Sequence, residues 1–128
     1  MTNPMEVVKI ICESYQSAVS ANDSAAYARQ FAPGAIRLPP GGKPEHGPEE
    51  IARSEQKDYD VARWTINVRP LHALEISDDW VYGVAETDIT LVAHADGSKK
   101  SMTANKGWLL NRQASGEWKI MRAMWNYR

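Results

Sequence analysis

Phe31-Ala32-Pro33-Gly34-Ala35-Ile36-Arg37-Leu38-Pro39-Pro40-Gly41-Gly42, closed by His46-Gly47-Pro48-Glu49-Glu50-Ile51, is the stretch from which the chain is best read. Pro33-Gly34 stops whatever helix precedes it, because Pro lacks an amide donor and Gly is conformationally free. Ala35 to Leu38 then reads as a short strand and Pro39-Pro40-Gly41-Gly42 as a rigid turn. Pro48 suits the first turn of a helix running to about Tyr59.

Upstream of this stretch the period is helical. Asn3 can cap, Pro4 fits the first turn, and Glu6 can reach back to the cap amide. Met5, Val8, Cys12, Tyr15 and Val19 then mark one helical face. Asn22-Asp23 breaks that helix and caps a second, Ala-rich one reaching about Gln30. Downstream, from Ala62 on, the period changes. Trp64 to Ile76, Trp80 to Ala93, Lys100 to Arg112 and Glu117 to Asn126 are rich in β-branched and aromatic residues. Ser77-Asp78-Asp79, Ala95-Asp96-Gly97 and Ala114-Ser115-Gly116 separate them with hairpin chemistry. Helices first and a long meander afterwards predict an α+β fold: three N-terminal helices on one face of a strongly curved antiparallel sheet, enclosing a cone with a ligand cavity at its mouth.

A length of 128 residues predicts one domain, residues 1–128, with a core of its own. No apolar run approaches the ~20 residues that span a bilayer, and the N-terminus lacks the layout of a secretory signal. The single cysteine, Cys12, excludes an internal disulfide and points to a cytoplasmic protein, with Cys12 as a core thiol. A net charge of −1 argues against a nucleic-acid-binding domain. The charge is nonetheless uneven: Lys99, Lys100, Lys106, Arg112, Lys119, Arg122 and Arg128 face only Glu117 within the last thirty residues. Either an anionic ligand or cross-strand pairing with Glu75, Glu86 and Asp88 accounts for that bias, and the pairing is the simpler account.

The order helix, Phe31-Ala32, short strand, Pro/Gly turn and Gly47-opened helix resembles the nuclear transport factor 2-like (NTF2-like, cystatin-like) superfamily. That group includes the SnoaL-like polyketide cyclases and the ketosteroid isomerases. Gly116-Glu117-Trp118-Lys119-Ile120 with Met121-Arg122-Ala123-Met124-Trp125 resembles the family's last strand, and the likeness covers nearly the whole chain. The resemblance implies a small hydrophobic ligand, a homodimer formed through the open sheet face, and no cofactor. It also implies cavity-lining roles for Met121, Ala123 and Trp125. Tyr15 falls where the isomerases hold the Tyr that donates to the substrate oxyanion. The isomerases' Asp base falls at Pro39 and their second Asp at Trp108, so steroid isomerisation by the usual route is not expected. The chain looks more like the SnoaL-like branch with no assigned reaction.

Three residues are therefore candidates for catalysis: Tyr15 as a donor to a ligand carbonyl, with His46 or Glu86 as a substitute base. Leu38, Pro39, Tyr59, Lys106, Trp108, Met121, Ala123 and Trp125 are candidate pocket residues. Each has a plainer alternative. Tyr15 and the tryptophans can simply fill the core, and Glu86 and Lys106 can belong to a solvated ion pair. Lys106 shares strand parity with Trp108, and a bulge would break any such parity argument. His46, His72 and His94 lack the spacing of a metal site, and no phosphate- or dinucleotide-binding motif is present. Two functions compete with a proton-transfer enzyme: a non-catalytic module that holds an apolar metabolite, and a dimerising scaffold with a filled cone.

Overall fold

The computed structural model describes residues 3–128. Helix α1 (Pro4–Ser20) starts at Asn3, whose side chain accepts from the amides of Met5 and Glu6. It ends where Asn22 takes a left-handed φ of 54°. The Asn22 side chain is held there by hydrogen bonds to the carbonyls of Val19 and Trp64. Helix α2 (Ser24–Ala28) is capped by Asp23. Then come β1 (Phe31–Leu38), the two-residue β2 (Glu45–His46) and α3 (Gly47–Val61). The chain closes with β3 (Ala62–Ser77), β4 (Trp80–Ala93), β5 (Lys99–Arg112) and β6 (Trp118–Tyr127). The architecture is α+β: three helices and one curved six-stranded sheet in the order β2-β1-β6-β5-β4-β3.

The sheet is mixed rather than purely antiparallel. β3 to β6 form the expected meander, but β1 runs parallel to β6. The second helix also ends two residues early, because the Gln30 carbonyl accepts from the Ile120 amide and Phe31 pairs with Ile120. A sheet partner distant in sequence thus takes the backbone from the helix. Pro33-Gly34 lies inside β1, at a register shift between Phe31 and Ile36, so it bends the strand instead of preceding it. The β2 pairing of Ile36 with His46 and Arg37 with Glu45 lies beyond the sequence reading, because two residues carry no periodicity.

Alternation puts Val81, Ala85, Thr87 and Ile89 of β4 and Ala104, Lys106, Trp108 and Leu110 of β5 on the inner face. Val7, Val8, Ile11, Cys12, Tyr15 and Val19 of α1 meet them there. Close contact of α1 requires Gly83: a Cβ at that position would lie 2.8 Å from Val8 Cγ2. Cys12 belongs to this core, and burial pushes its thiol up to about 12, so it is no nucleophile near neutral pH. No helix is long and apolar enough to cross a membrane among the described residues.

Candidate functional site

Helix α3 carries the first part of the site. Ile51, Glu55 and Tyr59 recur at helical spacing and are all buried, so a carboxylate stands in the middle of the helix's apolar stripe. Opposite it, β1 turns Arg37 inward, between the apolar Ile36 and Leu38. The guanidinium is 3 % exposed and pairs with Glu45 and with Glu55, the latter at 2.6 Å. It also donates to the Tyr27 hydroxyl at 3.1 Å. Tyr59 donates to the other oxygen of Glu55 at 2.7 Å, and the Tyr27 and Tyr15 hydroxyls meet at 3.3 Å. Burial alone would lower the Arg37 pKa, but Tyr27, Glu45 and Glu55 reverse that and keep it charged. The same burial, with Glu55 nearby, holds Tyr15, Tyr27 and Tyr59 above the usual phenol range, so all three are neutral donors.

Strands β4 and β5 supply the second part. Lys106 is 5 % exposed, and its Nζ lies 4.6 Å from the Trp125 ring centroid and 5.0 Å from that of Tyr15. Among the described residues it has no ion pair, and Glu55, the acid whose charge it feels, is engaged by Arg37. Desolvation dominates its titration and brings its pKa down to about 7, with Glu55 opposing and Arg37 assisting. Thr87 is fully buried on the same face, and its hydroxyl has no hydrogen-bond partner. Both side chains line an internal cavity of about 40 Å³. That is room for roughly three waters, by the ~10–15 Å³ each one requires.

Tyr15, Tyr27, Arg37 and Glu55 also line the cavity, as do Trp64, Trp125, Tyr127 and Asp58. Asp58 and Tyr127 are exposed, so they mark where it meets solvent. Partial desolvation at this rim, and next the charge of Glu55, raises the Asp58 carboxyl to about 6. The rim is pinned from β3 and from the turn after β4: Trp64 Nε1 donates to the Asp58 carbonyl at 3.3 Å, and His94 Nε2 lies 2.9 Å from the Tyr59 carbonyl.

The sequence candidates separate accordingly. Tyr15, Lys106 and Trp125 line the cavity, while Trp108 packs against the Tyr15 ring at 5.4 Å and Tyr59 supports Glu55 from behind. Glu86 is a correction: it points out of the opposite face, where it pairs with Arg69 and Arg128. Its parity is that of Tyr82 and Asp88, opposite to Thr87. His46 is another, exposed at the start of α3 outside the cavity. Pro39 lies in a surface groove with Lys43 and Arg53, and Leu38 on the outer sheet face. Met121 is the extra residue of a bulge, since Leu110 faces Ile120 and Leu109 faces Arg122. The bulge takes Met121 out of the cavity lining and leaves Ala123 buried and facing inward.

Arg37, Glu55, Asp58 and Thr87 are absent from the sequence candidates. Glu55 carries a usable signal, a lone acid between Ile51 and Tyr59 on the buried stripe of α3. Arg37 carries a misleading one, because Ile36 and Leu38 look like the inward pair. No cluster of three or more His, Cys, Asp or Glu side chains able to hold a metal occurs among the described residues.

No family model matches the sequence. No curated protein matches it either. Solved structures do match over nearly the whole chain. A ketosteroid isomerase-like protein from Erwinia carotovora atroseptica superposes with a TM-score of 0.89 at 18% identity, covering 99% of this chain and 98% of that one. The hexachlorocyclohexane dehydrochlorinase LinA-type3 from Novosphingobium barchaimii gives 0.80 at 13% identity, over 96% and 85%. A domain of unknown function with a cystatin-like fold from Nostoc punctiforme gives 0.80 at 14%, over 100% and 79%. At these identities the likeness establishes a shared fold, the one the sequence resembles.

Proposed function

We propose that the cavity receives the carbonyl end of a small, mostly apolar molecule and promotes proton transfer at the carbon beside that carbonyl. The observation that carries this reading is that two buried side chains line one cavity: Thr87, whose hydroxyl has no hydrogen-bond partner among the described residues, and Lys106, which has no ion pair there. Buried polar groups are rarely left unpaired, and an uncompensated one is costly, which favours a ligand that completes them. A carbonyl oxygen accepts from both, and the ammonium form of Lys106 stabilises the negative charge that develops there on enolisation. Asp58, near 6 and at the outlet, is the group whose titration suits a proton acceptor at neutral pH. Tyr15 serves as a neutral wall and secondary donor. About 40 Å³ is far below the ~300–1,000 Å³ of sites that enclose a drug-sized ligand. The ligand body therefore lies at the outlet, against Trp64, Trp125 and Tyr127, and a steroid does not fit inside.

The test is exchange of α-hydrogens of butanone and propanal into deuterated water, followed by NMR. The wild-type protein is expected to accelerate exchange, and Asp58→Asn and Lys106→Met each to reduce the acceleration at least tenfold. No acceleration by the wild type would remove the enzymatic reading.

The outer sheet face favours a second, compatible reading, that of a dimerising module. Leu38, Tyr82, Leu109 and Met124 line a groove of about 520 Å³ there, and Tyr82, Met124 and the neighbouring Leu74 are exposed. An apolar patch of this kind on a sheet suits a two-fold partner of the same chain. Sedimentation of the wild type as a dimer and of Met124→Glu as a monomer is the expected result.

A further inference from the structure

We propose that Lys106 is an imine-forming amine, whose Nζ adds to the carbonyl carbon of an aldehyde entering the cavity. The inference rests on the reading that a carbonyl enters there, and goes further by making the contact covalent and the substrate class an aldehyde.

Three features of the geometry support it. Nζ sits on the cavity wall with no carboxylate paired to it among the described residues, so its lone pair is not tied up once a proton leaves. The Trp125 and Tyr15 rings, at 4.6 and 5.0 Å, flank it and restrict where it can move. The cavity of about 40 Å³ beside it takes only a few heavy atoms, and an aldehyde carbon, with a single substituent, is the carbonyl that fits so small a space. A lowered pKa of about 7 makes a free amine abundant at neutral pH, whereas surface lysines are almost wholly protonated. The charged and titratable groups facing this space are Tyr15 from α1, Tyr27 from α2, Arg37 from β1, Glu55 and Asp58 from α3, and Tyr127 from β6.

The step balances without an oxidant or reductant. The Nζ lone pair forms the C–N bond as the carbonyl π pair moves to oxygen. The nitrogen releases a proton and the oxygen gains one, which gives a carbinolamine. Its hydroxyl takes up a proton and leaves as water as the nitrogen lone pair closes the C=N bond, and the resulting iminium nitrogen returns a proton to become the imine. Amine plus aldehyde thus becomes imine plus water. The Thr87 hydroxyl can hydrogen-bond the carbinolamine oxygen, and Asp58 at the outlet exchanges protons with solvent.

Reductive trapping tests this on the unaltered protein. Propanal and sodium cyanoborohydride are added, and modified lysines are located by peptide mass spectrometry. Lys106 is expected to label at least tenfold faster at pH 7 than exposed Lys100, with its labelling rate levelling off just above neutrality. Thr87→Val should slow Lys106 labelling several-fold and leave Lys100 unchanged. Labels spread over surface lysines with Lys106 unmodified would overturn the inference. If α-hydrogen exchange is accelerated under those conditions, the non-covalent reading stands alone. If Lys106 labels selectively without accelerated exchange, the covalent site stands and the proton-transfer reading falls.

Discussion

Two buried cations share this interior and are treated in opposite ways. On the β1–α3 side, Arg37 is met by Glu45, Glu55 and Tyr27, and Tyr59 braces Glu55. On the β4–β5 side, Lys106 lies against the faces of two aromatic rings and has no ion pair among the described residues, beside a threonine hydroxyl with no hydrogen-bond partner there. The difference in residue type fits the difference in role. A guanidinium stays charged and fills its donor fork, which suits a structural clamp, while a lysine can lose its proton under desolvation. The first region is completed by its own chain; in the second, the Thr87 hydroxyl has no hydrogen-bond partner and Lys106 no ion pair among the described residues.

The sharpest way to break this comparison is to damage the completed side. Glu55→Leu leaves Arg37 buried with only Glu45 as a charged partner, and should cost about 3–5 kcal/mol in urea unfolding. A cost below about 1 kcal/mol would mean that Arg37 is not a structural clamp.

The opposite sign is expected on the other side. Lys106→Met removes a desolvated amine and should stabilise the protein by up to about 5 kcal/mol well below pH 7, less whatever its ring contacts contribute. The unfolded lysine titrates near 10.5 and the folded one near 7, so between these values the unfolded chain holds more protons. Wild-type stability should therefore rise with pH across that window, with the penalty fully present below it, and the methionine variant should lose this slope. Thermal unfolding at pH 6, 8 and 10 measures both effects.

Thr87→Val keeps the shape and removes the unpartnered hydroxyl, and a gain of about 1 kcal/mol is expected. A loss instead would show that the hydroxyl is satisfied in solution. The smallest effect belongs to Glu86→Gln. This side chain sits on the outer face with Arg69 and Arg128, so α-hydrogen exchange should match wild type within error. A large fall there would return Glu86 to the candidate bases.

The order of helices and strands was legible because it depends on local signals. Asn3 and Asp23 cap, the helical period changes to a strand period after Ala62, and the turn clusters fall between β3, β4, β5 and β6. Those same signals placed Tyr15, Lys106 and Trp125 on faces that the fold brings to one cavity. Glu86 and His46 were the weak candidates, because charge and position along the chain do not reveal which way a strand residue points or how near a turn lies to the interior.

The sequence by itself determined the class of fold, the place of its one thiol on the core stripe of α1, and the parity that carries Lys106 and Trp108 to the same side of β5. Only the tertiary structure decided the parallel β1–β6 pairing, the bulge that removes Met121 from the lining, and the partnering of one buried cation but not the other. The physical reason is range. Caps, turns and periodicity act between residues a few positions apart, so they are written locally. The partners of Arg37 lie across β2 and α3, and Lys106 is left without an ion pair among the described residues while Glu55, the acid whose charge it feels, is engaged by Arg37.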